Sequence, residues 1–221
     1  MGASKNMPTS QSWKYPKLVL ASASPRRSEI LIGAGLKFEI LATDFDEQPL
    51  HGESPEQLVR RLATGKARAA HATIHSPHGR AELRGLPILG ADTVVAIGGE
   101  IMGKPSSAAE ARYMLGRLAG NIHEVLTGVA ILFPAPVSEP VADVRVAATS
   151  VQFRPMTSAQ IEDYIASGEP FDKAGGYGIQ GLAAKFVERI EGCYFNVVGL
   201  PVSLVCVMLE TNGQAAYRKT H

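Results

Sequence analysis

The pattern of apolar and polar positions predicts a strand, a helix and a second strand at the start of the chain. An apolar run at 18–21 is typical of a buried strand, and a partly alternating run at 37–43 predicts another. Between them lies the apolar spacing of a short helix, which begins at Pro25 and ends near Gly33 and Gly35. Two strands that flank a helix in this way are predicted to be parallel, with a right-handed crossover.

Further helices are predicted where Ser or Thr is followed three residues later by Glu or Gln, at Ser54, Ser107 and Thr157. A last apolar helix is predicted from Pro201 to Leu209. The remaining apolar runs, separated by Gly and Pro turns, predict strands at 86–91, 93–97, 100–102, 125–133, 144–153, 186–190 and 194–198. Parallel pairs early and antiparallel hairpins later favour the α/β fold class: a long twisted mixed β-sheet with flanking helices, bent into two lobes around a central cleft.

Composition limits the classes of protein that the chain can belong to. The 221 residues are 45% hydrophobic and 19% charged, with a formal net charge of +1. We expect one domain over 16–212, between a disordered tail at 1–15 and a C-terminal tail at 213–221. The near-neutral charge disfavours nucleic acid as a partner. Neither an apolar run of transmembrane length nor a signal-peptide core is present, so we expect no membrane partner and a cytoplasmic location.

The sequence LVLASASPRR at 18–27 is the first candidate binding site. Ser24 suits the N-cap and Pro25 the first helical position, so Arg26 and Arg27 lie at a helix N-terminus. Backbone N–H groups at a helix start attract anions, and guanidinium groups bind phosphate in bidentate fashion. The alternative is a solvent-exposed role, but positive charge is unfavourable at this end of a helix. The pattern therefore favours a polyphosphate site.

Carboxylates and cations follow several other predicted elements. In an open α/β sheet the loops at the carboxyl ends of parallel strands meet in one crevice. Cations that hold phosphates, beside carboxylates that hold a divalent metal, suit the hydrolysis of a phosphoanhydride. Simpler alternatives stay open: Asp92 as a turn cap, Lys66 as a surface lysine and Lys104 as an exposed loop residue. The residues expected to converge are Ser22, Arg26, Glu47 and Asp92.

The glycine-rich sequence DKAGGYGIQG at 172–181 predicts a loop packed closely against a neighbour rather than a regular helix. Within it, Tyr177 suits either stacking on a base or simple packing, and Asp172 with Lys173 suits a local ion pair. Other signatures are absent from the sequence: GxxxxGK[ST], GxGxxG after the first strand, GxSxG and zinc-ligand spacing of His and Cys.

Four motifs, in this order, resemble the Maf family: LASASPRR, RLATGKA, GADTVV followed by GKP, and DKAGGYGIQG followed by VVGLP. They are distributed from Leu20 to Pro201, across nearly the whole predicted domain. The resemblance implies a fold similar to that of the inosine triphosphate pyrophosphatases. It also implies a homodimeric enzyme that cleaves between the α and β phosphates of a nucleoside triphosphate. The implied cofactor is a divalent cation such as Mg²⁺, with Mn²⁺ or Co²⁺ as alternatives.

The resemblance assigns roles to individual residues. Asp92 matches the catalytic base, Glu47 matches an acidic residue proposed to hold metal together with it, and Lys104 completes the catalytic set. Lys104 and Lys66 match two lysines expected to contact phosphates. The remaining substrate-binding residues are Ser22, Arg26 and Arg27 of the phosphate loop, with Thr93 and Gln180.

Arg26, Thr93 and Gln180 match three positions linked to the choice of base. Thr93 after Asp92, together with GIQG, resembles the branch that acts on dTTP and UTP, whereas the branch that prefers 7-methyl-GTP carries a different residue after the aspartate. The competing hypothesis is a nucleotide-binding regulator of cell division and septum formation with little turnover. The complete set of charged residues favours the enzyme.

Overall fold

A computed structural model describes residues 15–135 and 139–218 as seven strands and six α-helices. The strands are β1 Leu18–Leu20, β2 Phe38–Ile40, β3 Ile88–Ile97, β4 Glu100–Met102, β5 Ile122–Phe133, β6 Val141–Phe153 and β7 Val187–Glu191. The helices are α1 Pro25–Gly33, α2 Pro55–His75, α3 Ala108–Leu118, α4 Ser158–Ala166, α5 Tyr194–Val198 and α6 Val202–Arg218. Short 3₁₀ turns lie at Ala81–Leu83, Glu169–Asp172, Ala174–Gly176 and Leu182–Phe186.

The strands form one mixed sheet in the order β2-β1-β3-β5-β6-β7, with β4 also paired to β3. The predicted parallel pairing of β1 with β2 is confirmed, β1 is also parallel to β3, and the later pairs are antiparallel. The predicted α/β class is therefore confirmed.

Strand β3 has an unusual edge. Along one edge it pairs with β5 over 88–96. On the other edge β1 pairs with it only at 88–89 and β4 only at 95–97. Residues 92–94 lie between these two short ladders, so the sheet has a gap beside the middle of β3.

Helix α2 covers one face of the sheet at close range. A Cβ placed on Gly90 would lie 2.2 Å from the carbonyl oxygen of Ala63, and one on Gly128 would lie 2.1 Å from that of Val59. Both glycines belong to the central strands, so the missing side chains let the helix backbone approach the sheet. This contact sets how far side chains of α2 reach into the sheet.

The opposite face carries two separate hydrophobic clusters. One joins β1, α1 and α6 around Leu20, Leu31 and Val205. The other joins α3, α4 and β6 around Leu115, Phe153 and Tyr164. These clusters form the cores of the two predicted lobes. Along β3, Ala91 belongs to the first cluster and Val95 to the second, with Thr93 between them.

Three predicted element boundaries are wrong. Asp92 does not end a strand, because β3 continues through it and stays paired with β5. Residues 194–198 form helix α5 rather than a hairpin strand, since Asn196 donates hydrogen bonds to Val125 O at 2.8 Å and to Thr149 Oγ1 at 3.0 Å. These bonds hold the segment over the face of the sheet, away from its edge. Helix α6 runs past Leu209 to Arg218.

The predicted tails fall mostly on residues that are not described. Residues 1–14 and 219–221 lie outside the described residues. Tyr15 packs against the first hydrophobic cluster, and its hydroxyl donates a hydrogen bond to Glu210 at 2.5 Å. Residues 213–218 belong to the backbone of α6. Within the described ranges, no helix combines the length and the apolar character needed to cross a membrane.

Candidate active site

The candidate site is built around the gap beside β3. Because side chains alternate along a strand, Asp92 and Thr93 point to opposite faces of the sheet. Asp92 lies on the face covered by α2, and Thr93 lies on the face that carries the two clusters. The gap beside them leaves room for groups from β1, α2 and β4 to meet at one place.

Lys66 joins two carboxylates at this gap. Its ammonium nitrogen lies 2.6 Å from Asp92 Oδ1 and 2.6 Å from Glu47 Oε1. Lys66 and Asp92 are buried, whereas Glu47 is half exposed. The structure decides between the alternatives for Lys66: it is a buried, paired lysine and not a surface one. Asp92 likewise is not a turn cap.

The electrostatics of the site favour an ionised Glu47 carboxylate. Partial burial raises the pKa of the Glu47 carboxyl, but the hydrogen bond and charge of Lys66, with the charges of Lys104 and Arg27, outweigh it. The net result is a pKa below the usual range, so Glu47 is an anion at neutral pH. A carboxylate in this state is suited to bind a cation or a cationic partner.

The loop after β1 is organised by Arg27, which is buried. Its guanidinium donates hydrogen bonds to Gly199 O at 2.9 Å, to Ser22 Oγ at 3.1 Å and to Thr93 Oγ1 at 3.2 Å. Burial lowers the pKa of this guanidinium, and the charges of Asp92 and Glu47 oppose the shift. The group therefore ties the loop to β3 and to the segment after α5. Arg27 was expected to bind phosphate; three of its five N–H groups donate to protein atoms, and the expectation stays a prediction.

Arg26 is more accessible than Arg27 and lies at the mouth of the cleft. Its Nη1 is 3.5 Å from Asp172 Oδ2, a long and partly exposed contact. Asp172 also accepts a hydrogen bond from Lys173 at 2.5 Å, so the predicted local ion pair is present and includes Arg26 as well. This contact links the loop after β1 to the glycine-rich segment.

The glycine-rich segment packs beside the end of β4, as predicted for a loop pressed against a neighbour. Gly175 N–H donates to Gly103 O at 2.9 Å, next to the exposed Lys104. Ile179 packs against both hydrophobic clusters, which places the exposed Gln180 where the two lobes meet.

For Tyr177 the structure decides between stacking on a base and packing in favour of packing. It is buried, and its hydroxyl lies 2.8 Å from His123 Nε2. The ring also meets Phe153 edge to face at 4.8 Å. Burial lowers the pKa of His123 to about 4, so the imidazole is neutral at physiological pH. Tyr177 therefore anchors the glycine-rich segment on β5.

Sequence reasoning missed three groups that hold the site together. Thr127 shares a hydrogen bond of 2.9 Å with Thr93, and Gly199 accepts from Arg27. His123 supports Tyr177 from the start of β5. A polar residue within an apolar run is the signal that could have found Thr127, because buried polar groups need partners. His123 lies before the predicted strand at 125–133 and has no such signal.

The protein by itself supplies only some of the ligands that a divalent cation needs. Among the described residues, three or more His, Cys, Asp or Glu side chains are not grouped closely enough to hold a metal by themselves. Asp92 and Glu47 do converge within hydrogen-bond distance of one ammonium group. Mg²⁺ is commonly held by one or two carboxylates together with substrate phosphates, so the two carboxylates suit such an ion once a phosphate ligand is present.

The fold and the site together define an α/β protein whose central strand brings cationic side chains close to two carboxylates. The chain belongs to the Maf-like protein family, whose model matches residues 17–212. This confirms the family that the sequence motifs predicted.

Proteins similar to this chain are named dTTP/UTP pyrophosphatases. One from Citrifermentans bemidjiense is 50% identical over 201 residues, which cover 90% of this chain and 97% of that protein. Another from Geobacillus sp. (strain WCH70) is 52% identical over 187 residues, covering 85% and 93%. The solved structure of the Staphylococcus aureus Ham1 protein aligns with a TM-score of 0.46 at 14% identity, covering 89% of this chain and 99% of that one. A likeness this loose carries no argument about individual residues.

Proposed function

We propose that this protein is a nucleoside triphosphate pyrophosphatase that hydrolyses dTTP and UTP to the monophosphate and pyrophosphate. The observation that carries the proposal is the contact of Lys66 with both Asp92 and Glu47 at the gap in the sheet. Relatives that share about half of this sequence are named for that activity. The geometry supplies both the cations and the carboxylates that phosphoanhydride hydrolysis needs.

In the proposed mechanism Asp92 is the general base. It accepts a proton from a water molecule whose oxygen forms a bond to the α phosphorus, while the bond from that phosphorus to the bridging oxygen breaks. Pyrophosphate leaves with the electron pair of that bond. Asp92 and Glu47 would also hold the divalent cation, which neutralises charge on the phosphate oxygens when bound. Mg²⁺ is the proposed ion because it prefers carboxylate and phosphate oxygens.

Four groups are proposed to bind the phosphates. Arg26, Lys66 and Lys104 contribute positive charge, and the Ser22 hydroxyl has a proton to donate because its oxygen already accepts from Arg27 and from Ser24 N–H. Arg27 holds this loop through its hydrogen bonds to Ser22, Thr93 and Gly199, and its positive charge adds to that of the site. Arg26, Thr93 and Gln180 are proposed to influence the choice of base.

Product analysis tests this proposal. The purified protein with Mg²⁺ is incubated with each canonical ribo- and deoxyribonucleoside triphosphate and with methylated forms. We expect pyrophosphate and a monophosphate, fastest from dTTP and UTP. Orthophosphate as the product would exclude cleavage between α and β. Tight nucleotide binding without turnover would favour the regulator of cell division. The homodimer and the cytoplasmic location stay predictions.

A further inference from the structure

The segment that carries Glu47 has no regular secondary structure of its own. Residues 41–50 lie between β2 and α2 and form neither helix nor strand. Half of the Glu47 side chain is exposed, and a single contact with Lys66 joins it to the site. The Lys66 ammonium is buried, but the Glu47 carboxylate is half exposed, so water weakens the pair. One such contact contributes too little to stability to fix a loop by itself. Something else must place Glu47 opposite Asp92.

Two residues beside Glu47 are attached to α2. The carbonyl oxygen of Gln48 accepts a hydrogen bond from Arg61 Nη2 at 2.9 Å. On the other side, Phe45 packs against the cluster of Leu58, Val59 and Leu62. Glu47 is therefore held between two contacts with the same helix.

The ring of Phe45 rests on the bare Cα of Gly65. A Cβ on Gly65 would lie 2.1 Å from Phe45 Cζ and 2.5 Å from Cε1. Gly65 lies inside α2 and its φ is not in the left-handed region, so the helix backbone does not require glycine here. Glycine weakens a helix interior relative to alanine. The position of the Phe45 ring is therefore what excludes a side chain at residue 65.

We propose that Gly65 and Phe45 are positioning residues that seat the loop so that Glu47 meets Lys66 and Asp92. Gly65 directly precedes Lys66, so the ring contact and the ion pair lie on neighbouring residues of one helix turn. The placement of Glu47 is inferred from the packing of the ring alone. The effect of that placement on catalysis rests on the proposed function.

A side chain on Gly65 has somewhere to push the ring. Phe45 also lines an open groove of about 800 Å³ along α2, beside Arg61 and Arg68. Displacement into this groove relieves the clash without unfolding the helix, but it carries the loop and Glu47 with it. A shift near 1 Å in a catalytic group costs on the order of a hundredfold in rate.

The test uses Gly65→Ala, Phe45→Leu, the double variant, and Gly116→Ala as the matched control. Gly116 lies in α3, and a Cβ added there would meet nothing within 4 Å, so its replacement is another helical Gly-to-Ala change without a ring beside it. Leucine at 45 is shorter than phenylalanine and leaves room for the methyl group. Two quantities are measured: dTTP hydrolysis, and amide hydrogen exchange over residues 44–48.

We expect Gly65→Ala to lower kcat by about tenfold or more and to speed exchange in the loop. Phe45→Leu alone loses part of the ring contact, so we expect it to speed exchange and lower kcat less than Gly65→Ala does. The double variant should match Phe45→Leu and not Gly65→Ala, because the shorter side chain removes the clash. Gly116→Ala should behave as the unsubstituted protein.

Unchanged exchange in Gly65→Ala, or no rescue in the double variant, would overturn the inference. Faster exchange with kcat unchanged would overturn it too, since the position of Glu47 would then not matter. If the unsubstituted protein hydrolyses no dTTP but the exchange pattern and its rescue appear, the placement of Glu47 is supported and only the proposed function is overturned.

Discussion

Lys66 and its two carboxylates form a trio in which Lys66 and Asp92 are buried and Glu47 is half exposed. A buried ammonium group is costly by itself, and so is the buried Asp92 carboxylate. Each charge is offset by the other, and Glu47 adds a second anion from the more exposed side. Removing one member changes the balance for the remaining two. Substitutions here must therefore be chosen so that a partner remains for Lys66.

Asp92→Asn is such a substitution. The amide keeps the shape of the side chain, and Lys66 keeps Glu47 as an ionised partner. Since an amide cannot take the proton of the attacking water, we expect kcat for dTTP to fall by roughly 10²–10⁴-fold. The measurement is steady-state hydrolysis with a thermal melt on the same sample. Asp163→Asn, an exposed position on α4, is the control and should keep full activity. Full activity in Asp92→Asn would remove Asp92 from the role of base.

The two neighbouring arginines show what a sequence reveals about single residues. The pattern SPRR predicts a basic loop at a helix start, and that is what the structure has. It does not reveal which arginine is buried. Arg27 is buried because Gly199 O, far along the chain, accepts its hydrogen bond, whereas Arg26 has only a long contact with Asp172. Partners this distant in sequence leave no local signal.

At the scale of elements, the helices with N-terminal caps were predicted well, whereas α5, the end of α6 and the continuity of β3 through Asp92 were not. The Ser/Thr-x-x-Glu/Gln patterns that begin at Ser54 and Thr157 form capping boxes in the structure. Such a cap is predictable because it is a local interaction. At Ser107 only half of the box forms: Ser107 Oγ accepts from Glu110 N–H, and the Glu110 carboxylate accepts from Ser106 instead. The errors at Asp92 and at 194–198 involve partners on β5 and β6, so they depend on tertiary contacts.

The anchoring of the glycine-rich segment on β5 predicts a pH dependence of stability. His123 is neutral when folded, with a pKa of about 4, because burial disfavours its charged form. Its ring faces only Tyr177 and Phe153 among the described aromatic and hydrogen-bonding neighbours. Unfolded histidine titrates near 6.5. As pH falls below that value, the unfolded chain binds a proton that the folded protein does not. The free energy of unfolding should therefore drop between pH 6.5 and pH 4, by up to about 3 kcal/mol.

Urea unfolding at pH 7.5, 6.5, 5.5 and 5 measures this slope. His123→Phe keeps an aromatic ring at the site but cannot titrate, so its stability should depend less on pH over that range, whatever its absolute value. His71→Gln is the control. Burial lowers the pKa of His71 in the same direction, but His71 is only half-buried, so this substitution should change the pH dependence of stability less than His123→Phe does. A slope unchanged by His123→Phe would contradict the assignment.

At the scale of the whole molecule, the two lobes meet through few polar contacts. Inside the cleft, Arg27 joins the loop after β1 to Thr93 and to the segment after α5. At the mouth, the contact between Arg26 and Asp172 joins the first lobe to the glycine-rich segment. This outer contact is long and exposed, so it contributes little to stability. The mixed sheet and the two lobes follow from the hydrophobic pattern, whereas the gap beside β3 does not, because it depends on where two short ladders stop.

A triphosphate entering the cleft meets Asp172 as the negative charge beside Arg26. Asp172→Asn removes that charge and frees Arg26, so we expect KM for dTTP to fall by about twofold, with kcat unchanged and the fold retained. The change should shrink in 0.5 M salt, where exposed charges are screened over a few ångströms. Glu162→Gln on α4 is the control for net charge, because it also removes one exposed carboxylate. It breaks one ion pair, with Arg112, whereas Asp172→Asn breaks two, with Arg26 and Lys173. An equal fall in KM in the control would assign the effect to net charge. A rise in KM in Asp172→Asn would mean that Asp172 helps to hold the cleft in its binding geometry, and it would contradict the view that this contact competes with the substrate for Arg26.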